Sequence, residues 1–173
     1  LTGIFKSPRP NNLYVGMDFH LLDINIHELI DMIPTIDTLV PMLASFEGSA
    51  NFHLAAECNL TARYQPKMST LLGAAAIDSK NLVVLDNKTF STIAKYMMFN
   101  KKTKNKIDSL DVQLTAIGPE IKVYPFLLSL DKYQVCASGR HNLDNQCNYH
   151  LEIIKCPLPL RVGVDVTGSI GDL

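Results

Sequence analysis

Strict two-residue alternation of apolar and polar side chains, repeated in five stretches, is the feature that most restricts how this chain folds. Leu13, Val15, Met17, Phe19 and Leu21 make the first row, and Phe52, Leu54, Ala56, Cys58 and Leu60 the second. Val112, Leu114 and Ala116, then Tyr149, Leu151 and Ile153, then Leu160, Val162, Val164 and Val166 complete the series. Side chains of an extended strand point to opposite faces in turn, so each row describes a strand with one buried and one wetted side. Several such strands in succession predict an antiparallel sheet with a single apolar face. That face needs a cover, and the cover bears on function.

Three segments have the spacing of short helices. Asn25-Ile-His-Glu28 places a side-chain acceptor three residues ahead of a glutamate, as in a capping box. Ile26, Leu29, Ile30 and Ile33 then fall on one helical face, and Pro34 ends or kinks the run. A second apolar segment (Ile36, Leu39, Val40, Leu43) continues to Phe46 with Pro41 inside it. Asp86 or Asn87 is placed to cap a third helix, whose stripe is Phe90, Ile93, Ala94, Met97 and Met98. Lys101, Lys102, Lys104 and Lys106 follow it, where positive charge complements the helix dipole and reads as a solvated helix end.

The remaining chain reads as strands and turns. Ser7-Pro8-Arg9-Pro10 is a connector or an edge, because two prolines keep the backbone out of a central ladder. Gln65-Pro66 is a break before the run Leu71 to Ile77, and Leu82 to Leu85 reads as a short buried strand. From Ile107 onward a meander is predicted, with turns at Gly118-Pro119, at Asp131-Lys132, around His141 to Gln146 and at Pro157 to Pro159. Between Ile121 and Leu130 the alternation fails, with Val123 and Leu127 on one face and Tyr124, Phe126, Leu128 and Leu130 on the other. That pattern predicts a strand buried on both sides. The expected architecture is mainly β, of the α+β type: a curved antiparallel meander with three short helices covering part of its apolar concave face.

The chain has 173 residues, about one domain's worth, so residues 1–173 are taken as a single domain. Sixteen basic against seventeen acidic residues leave a net charge of -1, which offers no electrostatic footprint for nucleic acid or an anionic membrane. No apolar run approaches the ~20 residues of a membrane span. Opening on Leu1 and closing on Gly168 to Leu173 in strand-like sequence, the chain is expected to be a piece of a longer protein.

Chemistry-bearing motifs are sparse. Cys58, Cys136, Cys147 and Cys156 have neither C-x-x-C spacing nor a histidine partner at metal-ligand spacing, so zinc is not expected. A turn at Leu143-Asp144 sets Cys136 opposite about Leu151 and Cys147 opposite about Arg140, which predicts unpaired thiols. Among His20, His27, His53, His141 and His150, three (His20, His53, His150) fall on polar strand faces far apart in sequence and read as surface residues. Asp108, Asp111 and Asp131 sit at strand ends, where acidic residues are routine. No nucleophile elbow, zinc-protease helix, phosphate loop or dinucleotide fingerprint occurs, so neither an enzyme nor a cofactor or metal is expected. Asn59-Leu-Thr61 and Asn87-Lys-Thr89 fit the glycosylation acceptor pattern and are read as chance matches.

Taken in order, the segments from about Leu13 to Gly168 resemble the C-terminal region of AsmA-like proteins of Bacteroides-type bacteria. The resemblance is carried by Asp18 to Ile30, Phe46 to Leu54, Thr89 to Phe99 and Ile107 to Val112, followed by Tyr124-Pro-Phe126, Ser138-Gly139, Asn142 to Asp144, Tyr149 to Pro157 and Gly163. It implies a periplasmic domain of a protein anchored in the inner membrane by a preceding helix and linked to outer-membrane biogenesis. It also implies an apolar trough that carries phospholipid, without catalytic residues. The four cysteines depart from that pattern.

The residues expected to line the groove or core are Val15, Met17, Phe19, Phe52, Leu54, Val112, Leu114, Tyr124, Phe126, Leu128, Leu151, Ile153, Val162 and Val164. A large bare apolar patch is unusual on a soluble monomer, so the face is filled by the chain's own helices, by a neighbouring domain or by acyl chains. Phospholipid or another acyl-chain ligand is the expected partner that the resemblance implies. The alternative partners are envelope proteins, engaged through open strand edges by a scaffold that assists outer-membrane protein assembly. A carbohydrate-binding sandwich is disfavoured by the absence of Trp.

Overall fold

A computed structural model describes residues 2–9, 12–33, 43–84, 106–130, 133–144, 146–157 and 161–169. Ten strands build one antiparallel sheet: β1 (Thr2–Arg9), β2 (Asn12–Asn25), β3 (Phe46–Glu47), β4 (Ser49–Leu60), β5 (Leu72–Val84), β6 (Lys106–Ile117), β7 (Glu120–Leu130), β8 (Tyr133–Asn142), β9 (Gln146–Lys155) and β10 (Val162–Ser169). Their spatial order is β1-β2-β4-β5-β6-β7-β8-β9-β10, with the short β3 paired to β5. Apart from β3, strands adjacent in the sheet follow one another in the chain, with short turns between β6 and β7, β7 and β8, and β8 and β9, and longer connections between β2 and β4 and between β5 and β6. The sheet is open, and β1 and β10 are its edges.

Cross-strand register carries one face through the whole sheet. Phe5 lies opposite Val15, Val15 opposite Cys58, Phe19 opposite Leu54, Leu54 opposite Ala75 and Ala75 opposite Leu114. The row continues through Val123, Gly139, Tyr149 and Val166. Three of the predicted alternations occupy β2, β4 and β6, and the other two occupy β9 and β10, apart from Leu160, which lies outside the described residues. The Leu71 to Ile77 run opens β5, and Leu82 belongs to the same strand rather than to a separate one.

A single α-helix, α1 (Ile26–Met32), lies among the described residues. Asn25 caps it, its side-chain oxygen accepting from the His27 amide at 2.9 Å. The Ile26 amide donates to the Gly48 carbonyl at 3.0 Å, which ties the helix start to the β3–β4 junction. Ile26 and Leu29 are fully buried and share a core with Phe52, Ile77, Leu82, Ile107 and Leu110. Each side chain of that size stabilises by about 1.5–3 kcal/mol when removed from water. Leu43–Ser45 forms one 3-10 turn before β3, so the end of the second predicted helix is a turn and a strand. Ile36, Leu39 and Val40, the third predicted helix from Phe90 to Met98, Lys101 to Lys104, and the Asp131-Lys132 turn lie outside the described residues.

Two irregularities correct the sequence reading. In β7 the register shifts between Val123 and Phe126, so Tyr124 and Pro125 together face Ser138 of β8. Proline supplies no amide to a ladder and is tolerated at a bulge. The shift returns Phe126 and Leu128 to the face of Ile121 and Val123, leaving Tyr124 (39% exposed) and Leu127 (49%) outside. The strand is therefore buried on one side, with a bulge, instead of on both. The ladder between β6 and β7 covers only Leu114↔Val123 to Ile117↔Glu120; below the bulge β6 pairs β5 and β7 pairs β8.

The second correction is at the β8–β9 hairpin. Its loop spans three residues, 143–145, and the Asn142 side chain accepts from the amides of Asp144 (3.2 Å) and Gln146 (3.0 Å). An odd loop moves the pairing by one residue relative to a two-residue turn, setting Cys136 opposite Glu152 and Cys147 opposite His141. No disulfide joins the four cysteines, and Cys58 and Cys147 are buried.

Candidate functional site

Thirteen of the fourteen expected groove residues stand on the shared apolar face, and Tyr124 does not. Tyr124 belongs to the opposite face, where the Lys122 ammonium sits 4.8 Å from its ring centroid. Burial along the shared face is uneven. Phe52, Leu54, Val112 and Leu114 are buried under α1 and its neighbours, with Phe19, Phe126 and Leu128 packed at the margin. Ile153 and Val135 form a separate small cluster with Leu128, Leu151 and Cys156. At the edges the face is open: Val162 is 40% exposed, Met17 39% and Phe5 57%. Val164 is intermediate.

A polar element interrupts the apolar face at β8 and β9. His141 is buried, and its Nδ1 lies 2.8 Å from the Tyr149 hydroxyl. The Tyr149 ring lies across Gly139, where an added Cβ would stand 2.5 Å from the ring and 2.5 Å from the Asn148 carbonyl oxygen. Burial, reinforced by the neighbouring Cys147, pushes the Tyr149 hydroxyl well above its ordinary pKa of 10.0. Burial also raises the Cys147 thiol, partly offset by a hydrogen bond with the Gly168 backbone, and raises Cys58.

The opposite face gathers histidines that sequence separation keeps apart. Register places His20 of β2 directly across from His53 of β4, and their rings stack with centroids 3.8 Å apart. Asp18, two residues before His20 and hence on the same face, places one carboxylate oxygen 3.2 Å from Nε2 of each ring. The only sequence signal for this trio is the D-x-H spacing at 18–20; the third member needs the β2–β4 register. A second pair, His150 and Asp165, lies across β9 and β10 at 2.7 Å. Asn51 uses both ends of its amide, accepting from the Asp23 amide (2.9 Å) and donating to Asp78 (2.8 Å), which holds a bulge in β2 just before α1.

Beside the trio is a shallow cavity of about 490 Å³, floored by Gly16, Ala55 and Ala74 and walled by Ile4 and Leu72. Asp18 also lines it, and Tyr14 donates a hydrogen bond to Glu57 within the same wall. That bond to a carboxylate raises the Tyr14 pKa, with a smaller contribution from burial. Among the described residues no helix is long and apolar enough to cross a membrane. Comparison with known protein families, with characterised proteins and with solved structures finds no match to the chain.

Proposed function

We propose that this domain binds the acyl chains of a phospholipid on its apolar sheet face, and that its role is binding and conduction rather than catalysis. One observation carries the reading: the shared face carries apolar side chains from Phe5 on β1 to Val166 on β10, broken at His141 and Tyr149, while α1 packs over the β1–β6 half and Val162 and Phe5 stay open at the two ends. An apolar surface that reaches both edges of an open sheet suits a long, flexible hydrocarbon better than a compact ligand enclosed on all sides. The AsmA-like resemblance of Leu13 to Gly168 supplies the setting: the periplasmic side of an inner membrane, in a longer anchored protein serving outer-membrane biogenesis. A curved, concave shape of the sheet belongs to this proposal.

Mass spectrometry of organic extracts from the purified chain tests it. Co-purified phospholipid is expected, together with saturable uptake of a fluorescent acyl probe that Val164→Lys abolishes. A chain that yields no lipid and takes up no probe overturns the reading.

The two unpaired edges favour a second reading, a scaffold that adds a partner's strand to β1 or β10. Proline at Val164 would then abolish partner binding, whereas a charge at the same position on the apolar face would leave the edge amides competent.

A further inference from the structure

We infer that Asp18, His20 and His53 form a binding site for a divalent transition metal such as zinc. The trio is independent of the apolar face, since all three side chains stand on the other side of the sheet. Imidazole nitrogen and carboxylate oxygen are the donors that zinc, nickel and cobalt accept in sites of mixed N and O ligands. Metal–donor bonds of about 2.0–2.1 Å in a tetrahedron put neighbouring donors about 3.3 Å apart. The Asp18 oxygen lies 3.2 Å from Nε2 of His20 and 3.2 Å from Nε2 of His53, and the donor atoms of the three residues fall within 4.8 Å of one another.

Preorganisation strengthens the case. The two histidines belong to adjacent paired strands and Asp18 to the same strand as His20, so the ligands sit on the rigid part of the sheet rather than on loops. Both rings bring Nε2 to 3.2 Å from one Asp18 oxygen. Once Nε2 gives up its proton, the three donors border one space, and a cation there takes the place of the protons that bridge them. The side chains are 64% (His20), 49% (Asp18) and 44% (His53) exposed, which gives a metal a route in and leaves its fourth position to solvent or to a ligand in the adjoining cavity.

Titration of the whole chain with Co²⁺ and Zn²⁺ tests the site. Saturable one-to-one binding is expected, with visible Co²⁺ bands of a tetrahedral N/O site and without the thiolate charge-transfer band that Cys58, Cys136, Cys147 or Cys156 would give. His53→Gln and Asp18→Asn are each expected to weaken binding by about tenfold or more. On the unaltered chain, zinc is expected to shift the imidazole NMR signals of His20 and His53 while leaving His27 and His150 in place. No saturable binding, a thiolate band, or affinity unchanged in His20→Gln/His53→Gln overturns the assignment.

Discussion

The sheet divides at the Tyr124-Pro125 bulge into two halves built from the same alternation and finished differently. In the half from β1 to β6, α1 lies on the apolar side, and Phe52, Ile77, Leu82 and Ile107 are almost wholly buried. In the half from β7 to β10, the described residues supply no helix, and the face grades from buried Val135 and Ile153 to half-open Val162. Alternation decides which way a side chain points; burial requires a second layer. At Gly139 the second half provides part of its own cover, by laying the Tyr149 ring over a residue without a side chain.

The largest expected effect tests that difference directly. Leu29→Ala removes a fully buried helix side chain from the first half and is expected to cost about 2–5 kcal/mol in urea denaturation. Val164→Ala on β10 is expected to cost about 1 kcal/mol or less, because its side chain keeps part of its contact with water. Equal losses would mean that the second half is covered as firmly as the first.

Next in size is Gly139→Ala. A methyl group there meets both the Asn148 carbonyl and the Tyr149 ring at 2.5 Å, and the carbonyl is backbone that cannot swing aside. A loss of about 1–3 kcal/mol is expected, the usual range for overpacking. In a Tyr149→Ala background the ring's share vanishes, so the penalty for the same substitution shrinks. A neutral Gly139→Ala would mean that the ring does not rest on the glycine.

How much of this was legible beforehand follows the same division. The strands of the first half, the cap at Asn25 and the single apolar face could be read because they rest on local periodicity and one side-chain acceptor. The second half was misread wherever one residue changes phase. Pro125 carried the signal for a bulge, yet its apolar neighbours Tyr124 and Leu127 fitted a strand buried on both sides equally well. The β8–β9 register turned on whether Asn142 closes a loop of two residues or three. The Asp18, His20 and His53 trio was invisible for another reason: it is made by pairing residues 33 apart, and no periodicity within either strand announces a partner across the ladder.

Alkaline pH is expected to act chiefly on the second half. Tyr149 holds its proton more tightly when folded than the ordinary value of 10.0, so its contribution is complete below that pH and is lost as pH rises through the higher folded value. Stability is expected to fall by about 1.4 kcal/mol per pH unit in that range. Cys58 and Cys147, also raised from 9.0, begin the same loss about a unit earlier. Tyr149→Phe is therefore expected to remove the upper part of the pH dependence in denaturant titrations and to leave the lower part. An unchanged profile would place the effect on the thiols and on Tyr14, whose hydroxyl is also raised.

The smallest effect concerns how the first half acquires its cover. A helix of seven residues has no stability of its own in water, so α1 persists because of its cap and the burial of Ile26 and Leu29. Asn25→Ala deletes the acceptor for the His27 amide and is expected to cost about 1 kcal/mol, while Asn25→Ser restores most of it. The loss should be visible in the urea midpoint and, more tellingly, in hydrogen exchange: amides of α1 lose protection while those of β8 and β9 keep theirs. If β8 and β9 lost protection to the same degree, the short β6–β7 ladder would be transmitting the helix's stability across the bulge, and the two halves would melt as one unit.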